Sequence, residues 1–151
     1  MPDKPSYLGL LNAISLAETR AHLYFTAWMQ VTPDRKVRKV LETVAAREGE
    51  HGMSFAKRIN ELGYSLIEKE DPRAAEALAV AASDLPDVEK MRKLGLDRIE
   101  RDVLGFFDTV FADHSIDIRT GELLGRYIAE EHDTARLLRA CFEKLEASVP
   151  A

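Results

Sequence analysis

The stretch Ala46-Arg47-Glu48-Gly49-Glu50-His51-Gly52 sits inside a run whose apolar residues, Val37, Leu41, Val44, Phe55, Ile59 and Leu62, recur at helical spacing. Glu48 falls four residues after Val44 and seven before Phe55, so it occupies a position on the apolar stripe. His51 follows at i+3 on the same face, within about 5–6 Å at the Cβ atoms. A lone carboxylate in a core costs several kcal/mol in practice and escapes that cost by protonation. The acid on this stripe therefore asks what it binds.

The same intrusion recurs along the chain. Residues 6–30 read as a first helix with Leu8, Leu11, Ile14, Ala21, Phe25 and Trp28 or Met29 on one stripe, and Glu18 interrupts it. Thr32-Pro33-Asp34 signals the next start, with Thr32 as N-cap and Pro33 at the first helical position. That second helix closes at Gly63. Asp71-Pro72 opens a short alanine-rich helix over about 72–83, within a long crossover. A third long helix is expected over 86–114, with Leu96, Val103, Phe107 and Val110 on one stripe and Glu100 between them. Asp97 stands three residues before Glu100. A tight connection through Ser115 and Asp117 leads to a fourth helix over 120–147, where Glu131 lies between Tyr127 or Ile128 and Ala135. Each helix thus carries an acid near its middle.

The chain reads as all-α, with no strand-like alternation of useful length. The four helices, each about 40 Å long at 1.5 Å per residue, are joined by short links within each pair. One long crossover joins the second to the third. That is the connectivity of an antiparallel four-helix bundle, one domain over 1–151. The 151 residues suffice for a core without staples. The 46% apolar and 31% charged content excludes disorder and low complexity. A net charge of −5 argues against nucleic acid as a partner. Cys141 alone excludes an internal disulfide or a four-cysteine metal site. No run approaches a membrane span of about 18 residues and the start carries no leader pattern, so a reducing cytoplasm is the expected address, with no membrane partner.

Four acids at comparable depth, one per helix, together with an imidazole, point to a shared cation. Carboxylates plus imidazole suit iron or manganese, and zinc less exclusively. Glu18, the Glu48-x-x-His51 motif, the crossover, Asp97-x-x-Glu100 and Ala129-Glu130-Glu131-His132 together resemble the ferritin-like superfamily. The pattern is nearest to its rubrerythrin-type members, which also pair two acids on the third helix. The resemblance spans about residues 6–147. It implies two iron ions between the helices, with Glu48 or Glu131 as bridge, Glu18 and Glu100 as terminal ligands, His51 on one ion and Asp97 as a further ligand. It implies oxidation of ferrous iron by dioxygen or peroxide, or reduction of peroxide.

Two departures from the family pattern stand in the sequence. A second Glu-x-x-His is expected on the last helix, yet Thr134 follows Glu131 at three residues; a register shifted by one pairs Glu130 with Asp133. The four-cysteine electron-transfer module of rubrerythrins is absent from this sequence, so a separate electron donor is required. A homodimer is the expected assembly. The alternative reading is a bundle with a degenerate or single-metal site that serves as an interaction module; iron storage is the least expected role. Around the acids, His22 reads as a packing residue or as a partner of a ligand. Tyr24 and Tyr127 read as core phenols flanking the site. Glu50, Glu130, Glu143 and Glu146 read as charges on solvated faces, and Cys141 as a small buried hydrophobe. Gly49 and Gly52 weaken their helix by about 1 kcal/mol each relative to alanine, which points to close helix approach.

Overall fold

The computed structural model describes residues 3–99, 110 and 112–150. The described chain is helical, with no strand among the described residues: α1 Leu8–Val31, α2 Arg35–Glu61, α3 Pro72–Ala82, α4 Asp87–Lys93, a single 3-10 turn Leu96–Arg98, and α5 Ile118–Ala147. No described helix is long and apolar enough to cross a membrane.

The link between α1 and α2 is short, and the two helices pack antiparallel. Ser15 Oγ donates to Gly52 O at 2.8 Å, while His22 Nδ1 donates to Ala45 O at 2.7 Å, so the numbering runs in opposite senses. Arg58 meets Thr120 and Arg126 meets Glu50, which sets α5 antiparallel to α2. Tyr127 reaches Glu18, and Tyr7 reaches Asp117, so α5 runs parallel to α1. The crossover lies along α1. Asn12 exchanges two hydrogen bonds with the Ile67 backbone, and Arg20 donates to Lys69 O.

The helix ends follow from local chemistry. Asp34, not Thr32, caps α2, accepting from Lys36 N at 2.8 Å and Val37 N at 3.3 Å. Thr32 is used elsewhere: its hydroxyl donates to Asp87 Oδ2 at 2.7 Å. Pro33 accordingly precedes the helix instead of opening it. Asp34→Ala is expected to cost about 1 kcal/mol, read as a lower urea midpoint with an unchanged slope. Asp71 and Asp117 cap α3 and α5 in the same way.

The single third helix expected over 86–114 does not form. α4 stops at Lys93, and Gly95 adopts φ +73°, a left-handed conformation that terminates a helix and that glycine adopts without penalty. The apolar stripe through Leu96 carried no signal of this break, because periodicity does not register a single glycine. Lys90, on α4, is 1% exposed and its ammonium donates to Ala81 O at 2.9 Å and Ser83 O at 2.7 Å, closing the carbonyl end of α3.

Two apolar clusters fill the interior. One gathers Leu11, Ile14, Phe55, Ile59, Leu124 and Ile128. The other gathers Phe25, Trp28, Val37, Leu41, Val44, Met91, Leu138 and Cys141. Along α1, α2 and α5, the acids Glu18, Glu48 and Glu131 fall in the sequence gap between them.

Candidate metal centre

Helical spacing places each acid. Glu18 on α1, Glu48 and His51 on α2 and Glu131 on α5 each offer one ligand atom, and these atoms all lie within 4.8 Å of one another. His51 is fully buried, and Glu18 and Glu48 are 5% and 4% exposed. His51 Nδ1 lies 3.7 Å from Glu18 Oε2 and 3.6 Å from Glu131 Oε1, too far for hydrogen bonds.

Close approach of α1 and α2 makes this possible. A Cβ on Gly49 would come within 2.8 Å of His22 Nδ1. One on Gly52 would collide with Thr19 Oγ1 and stand 3.2 Å from Thr19 N. Glycine at these two positions lets His51, between them in sequence, reach the acids of the neighbouring helices. His22 packs over Gly49 and bonds to backbone, away from the acid group.

A fit to metal is tested by the polar atoms themselves. Among the described residues, Glu18 Oε2, Glu48 Oε1, His51 Nδ1 and Glu131 Oε1 are buried with no hydrogen-bond partner. Buried polar atoms are nearly always satisfied, since an unmade bond costs about 1–3 kcal/mol. One such atom comes from each of the four residues that share the 4.8 Å cluster. Ligands of a divalent ion stand about 2.0–2.2 Å from it, so two of them are at most about 4.4 Å apart. Small side-chain rotations reconcile the two figures. The residues fit a cation.

The charge state of the metal-free cluster follows from crowding. Burial, with Glu18 and Glu131 beside it, holds the Glu48 carboxyl far above the ordinary carboxylate range. Burial and the neighbouring Glu18 push Glu131 up to about 7. Burial alone lowers a histidine, but at His51 the Glu18, Glu130 and Glu131 carboxylates outweigh it and raise the pKa. Burial, then Glu48, Glu18 and Glu131, raise the Tyr24 phenol, which stays protonated.

Outer residues fix the inner ones. The Tyr127 hydroxyl donates to Glu18 Oε1 at 2.9 Å, which leaves Oε2 as that carboxylate's second oxygen. His51 Nε2 faces Glu130 Oε1 at 3.3 Å, and Arg126 ties Glu130 to Glu50 with contacts of 3.1, 3.0 and 2.8 Å. A carboxylate on Nε2 keeps a proton there and directs Nδ1 at the cluster. Glu130 is thus not a purely solvated charge: it is half-buried against the histidine, while Glu131 lies inward. The sequence signal was the Arg126–Glu130 spacing at i, i+4; Glu50 is a partner only through the tertiary fold.

The remaining sequence candidates fall elsewhere. Asp97 is exposed on the 3-10 turn and lies outside the acid group found among the described residues. Glu100 lies outside the described residues. Asp133 pairs with Arg47 at 2.7 Å and Arg136 at 3.1 Å on the surface, so the shifted register brings no second acid to His51. Thr134 is buried and accepts from Arg47 at 3.3 Å. Compared with family models, with curated proteins and with solved structures, the chain matches none.

Proposed function

We propose that this chain is a ferritin-like four-helix bundle in which Glu18, Glu48, His51 and Glu131, with Glu100, hold two iron ions, and that it oxidises ferrous iron or reduces dioxygen or peroxide there. The observation that carries the reading is the convergence of four unpartnered buried ligand atoms from three helices. Redox-active ions held by these residues would supply electrons to dioxygen or peroxide. Manganese suits the same donors, and zinc would fill them without redox chemistry.

The protein's part is positional. Tyr127 orients Glu18, and Glu130 with Arg126 orients His51. The buried position of the acids strengthens their hold on a cation. Metal must displace the protons held by Glu48 and by His51 Nδ1, so uptake releases protons and strengthens with pH. Cys141 is the chain's lone cysteine and is buried, so reducing equivalents come from a separate donor.

A second reading has its own support. The 4.8 Å spread is close to the span of one coordination sphere, and Thr134 stands where a second histidine would complete a pair. On that reading one ion is held and the bundle is an interaction module.

Elemental analysis after iron-replete expression, with ferrous oxidation followed by absorbance, separates the two. Two irons per chain and ferric formation faster than in buffer are expected. One ion per chain, with equal rates with and without protein, selects the non-catalytic reading. Absence of stoichiometric metal defeats the di-iron reading and favours an interaction module with a degenerate site. Glu131→Ala is expected to lose most of the metal. Glu130→Ala is expected to retain it with affinity about 10–100-fold weaker, the usual effect of removing a residue that orients a ligand. The reverse order would exchange their roles.

A further inference from the structure

The side of α2 turned away from the acid cluster carries a pattern of its own. Glu42, Ala46, Met53 and Lys57 fall within about 60° of one another around a helix of 3.6 residues per turn, opposite Glu48 and His51. All four are exposed, Met53 to 70%. On α1, Leu23 is 54% exposed and follows His22, which packs over Gly49 of α2. A single apolar residue in water is ordinary; the charges on either side of Met53 make this one informative. Neither Glu42 nor Lys57 forms an ion pair among the described residues.

The stripe is complementary to itself when reversed. Two copies of α2 laid antiparallel about a two-fold axis between Gly49 and Glu50 set Glu42 against Lys57 of the second copy, and Lys57 against its Glu42. The same axis sets Met53 against Ala46 in both directions, a long apolar side chain against a short one. A two-fold interface requires this reciprocity, because whatever residue i meets in j, j must meet in i. Neighbouring registers lack it. A slip of about one turn one way opposes Lys39 to Lys57, and the other way opposes Glu42 to Glu61, all of them exposed. Like charges across a contact exclude a register, and opposite charges fix it. Exposed ion pairs add little affinity by themselves, so they set the register while covering Met53 holds the contact.

We propose that a second copy of this chain docks on this face, α2 against α2 and antiparallel, with a Glu42–Lys57 pair at each end and Met53 over Ala46 between them. The metal ligands of α2 lie on its other side, so the contact goes beyond the metal reading and stands apart from it.

Sedimentation equilibrium of the full chain, with chelator and after iron loading, tests this. A reversible monomer–dimer equilibrium is expected in both conditions. Met53→Glu is expected to weaken association at least tenfold. Glu42→Lys and Lys57→Glu, each alone, oppose like charges at both ends of the contact and are expected to do the same. The double variant Glu42→Lys/Lys57→Glu restores opposite charges at both ends and is expected to return to within threefold of the wild type. These positions are exposed, so circular dichroism and iron content are expected to stay unchanged in every variant. A wild type that remains monomeric at millimolar concentration overturns the proposal. So does a dimer that Met53→Glu leaves intact, or a pair of single reversals that the double variant does not rescue, since either result places the contact elsewhere.

Discussion

Glu48→Gln is expected to abolish most metal binding while making the metal-free protein more stable above neutral pH. In the folded protein Glu48 and Glu131 hold their protons to higher pH than in the unfolded chain, so the folded state binds more protons. Stability from such groups is full below about pH 4.5 and is lost as pH rises through the folded pKa. The relevant window runs from about 4.5 to about 7 for Glu131 and extends higher for Glu48. His51, also raised, acts in the same direction: its contribution is full below about pH 6.5 and is lost above its folded pKa. The metal-free wild type should therefore melt highest in mild acid and lose several degrees by pH 8.

Glutamine keeps the shape of a protonated Glu48 at every pH. Each unit of pKa difference corresponds to about 1.4 kcal/mol, so the metal-free variant should gain several kcal/mol over the wild type at pH 8 and almost nothing at pH 4.5. Metal should reverse the order. A ligand at 100 times its Kd stabilises the wild type by about 2.7 kcal/mol, and the variant much less. Thermal melts of both proteins at pH 4.5 and 8, with chelator and with ferrous or manganous ion, read all four corners. A loss of about 3–5 kcal/mol in the chelated variant at pH 8 would instead mean that Glu48 is one half of a buried ion pair.

Gly52→Val is expected to cost about 3 kcal/mol, the upper part of the usual range for overpacking, and to lower metal occupancy with it. A Cβ at this position meets Thr19 Oγ1, Thr19 N and Ser15 O, and two of those three atoms are backbone that cannot rotate away. Relief requires α1 and α2 to separate, which carries His51 off the acids on α1 and α5. Gly125→Ala on α5 is the control: a Cβ there meets nothing within 4 Å, so the substitution should stabilise by about 0.5–1 kcal/mol through helix preference alone. Urea titration and metal content of both variants check this. If Gly52→Val behaves like Gly125→Ala, the helices are not in close contact at the site.

Much of this protein is legible along the chain. The spacing of Ile14, Glu18 and Phe25 and of Val44, Glu48 and Phe55 puts the acids on inward faces, because a helix repeats every 3.6 residues and burial must follow that period. The α3 start at Asp71-Pro72 and the end of α2 at Gly63 are equally local, since caps are settled by a few neighbouring groups. Other features depend on partners distant in sequence. Asp34 caps α2, while the Thr32 hydroxyl donates to Asp87, 55 residues away, and accepts from Asp34 N at 3.2 Å. Glu130 and Glu131 differ by about 100° around their helix, and which meets which nitrogen of His51 was decided by how α5 rotates against α2. The periodicity could place one of them inward, but only the packed helices could turn the other onto Nε2 through Arg126 and Glu50. Asp97 shows the same limit: its spacing from Glu100 suggests a shared face, whereas in the structure it is exposed on a 3-10 turn that follows a left-handed Gly95. Periodicity specifies a face relative to its own helix, and only the tertiary contacts specify where that face points.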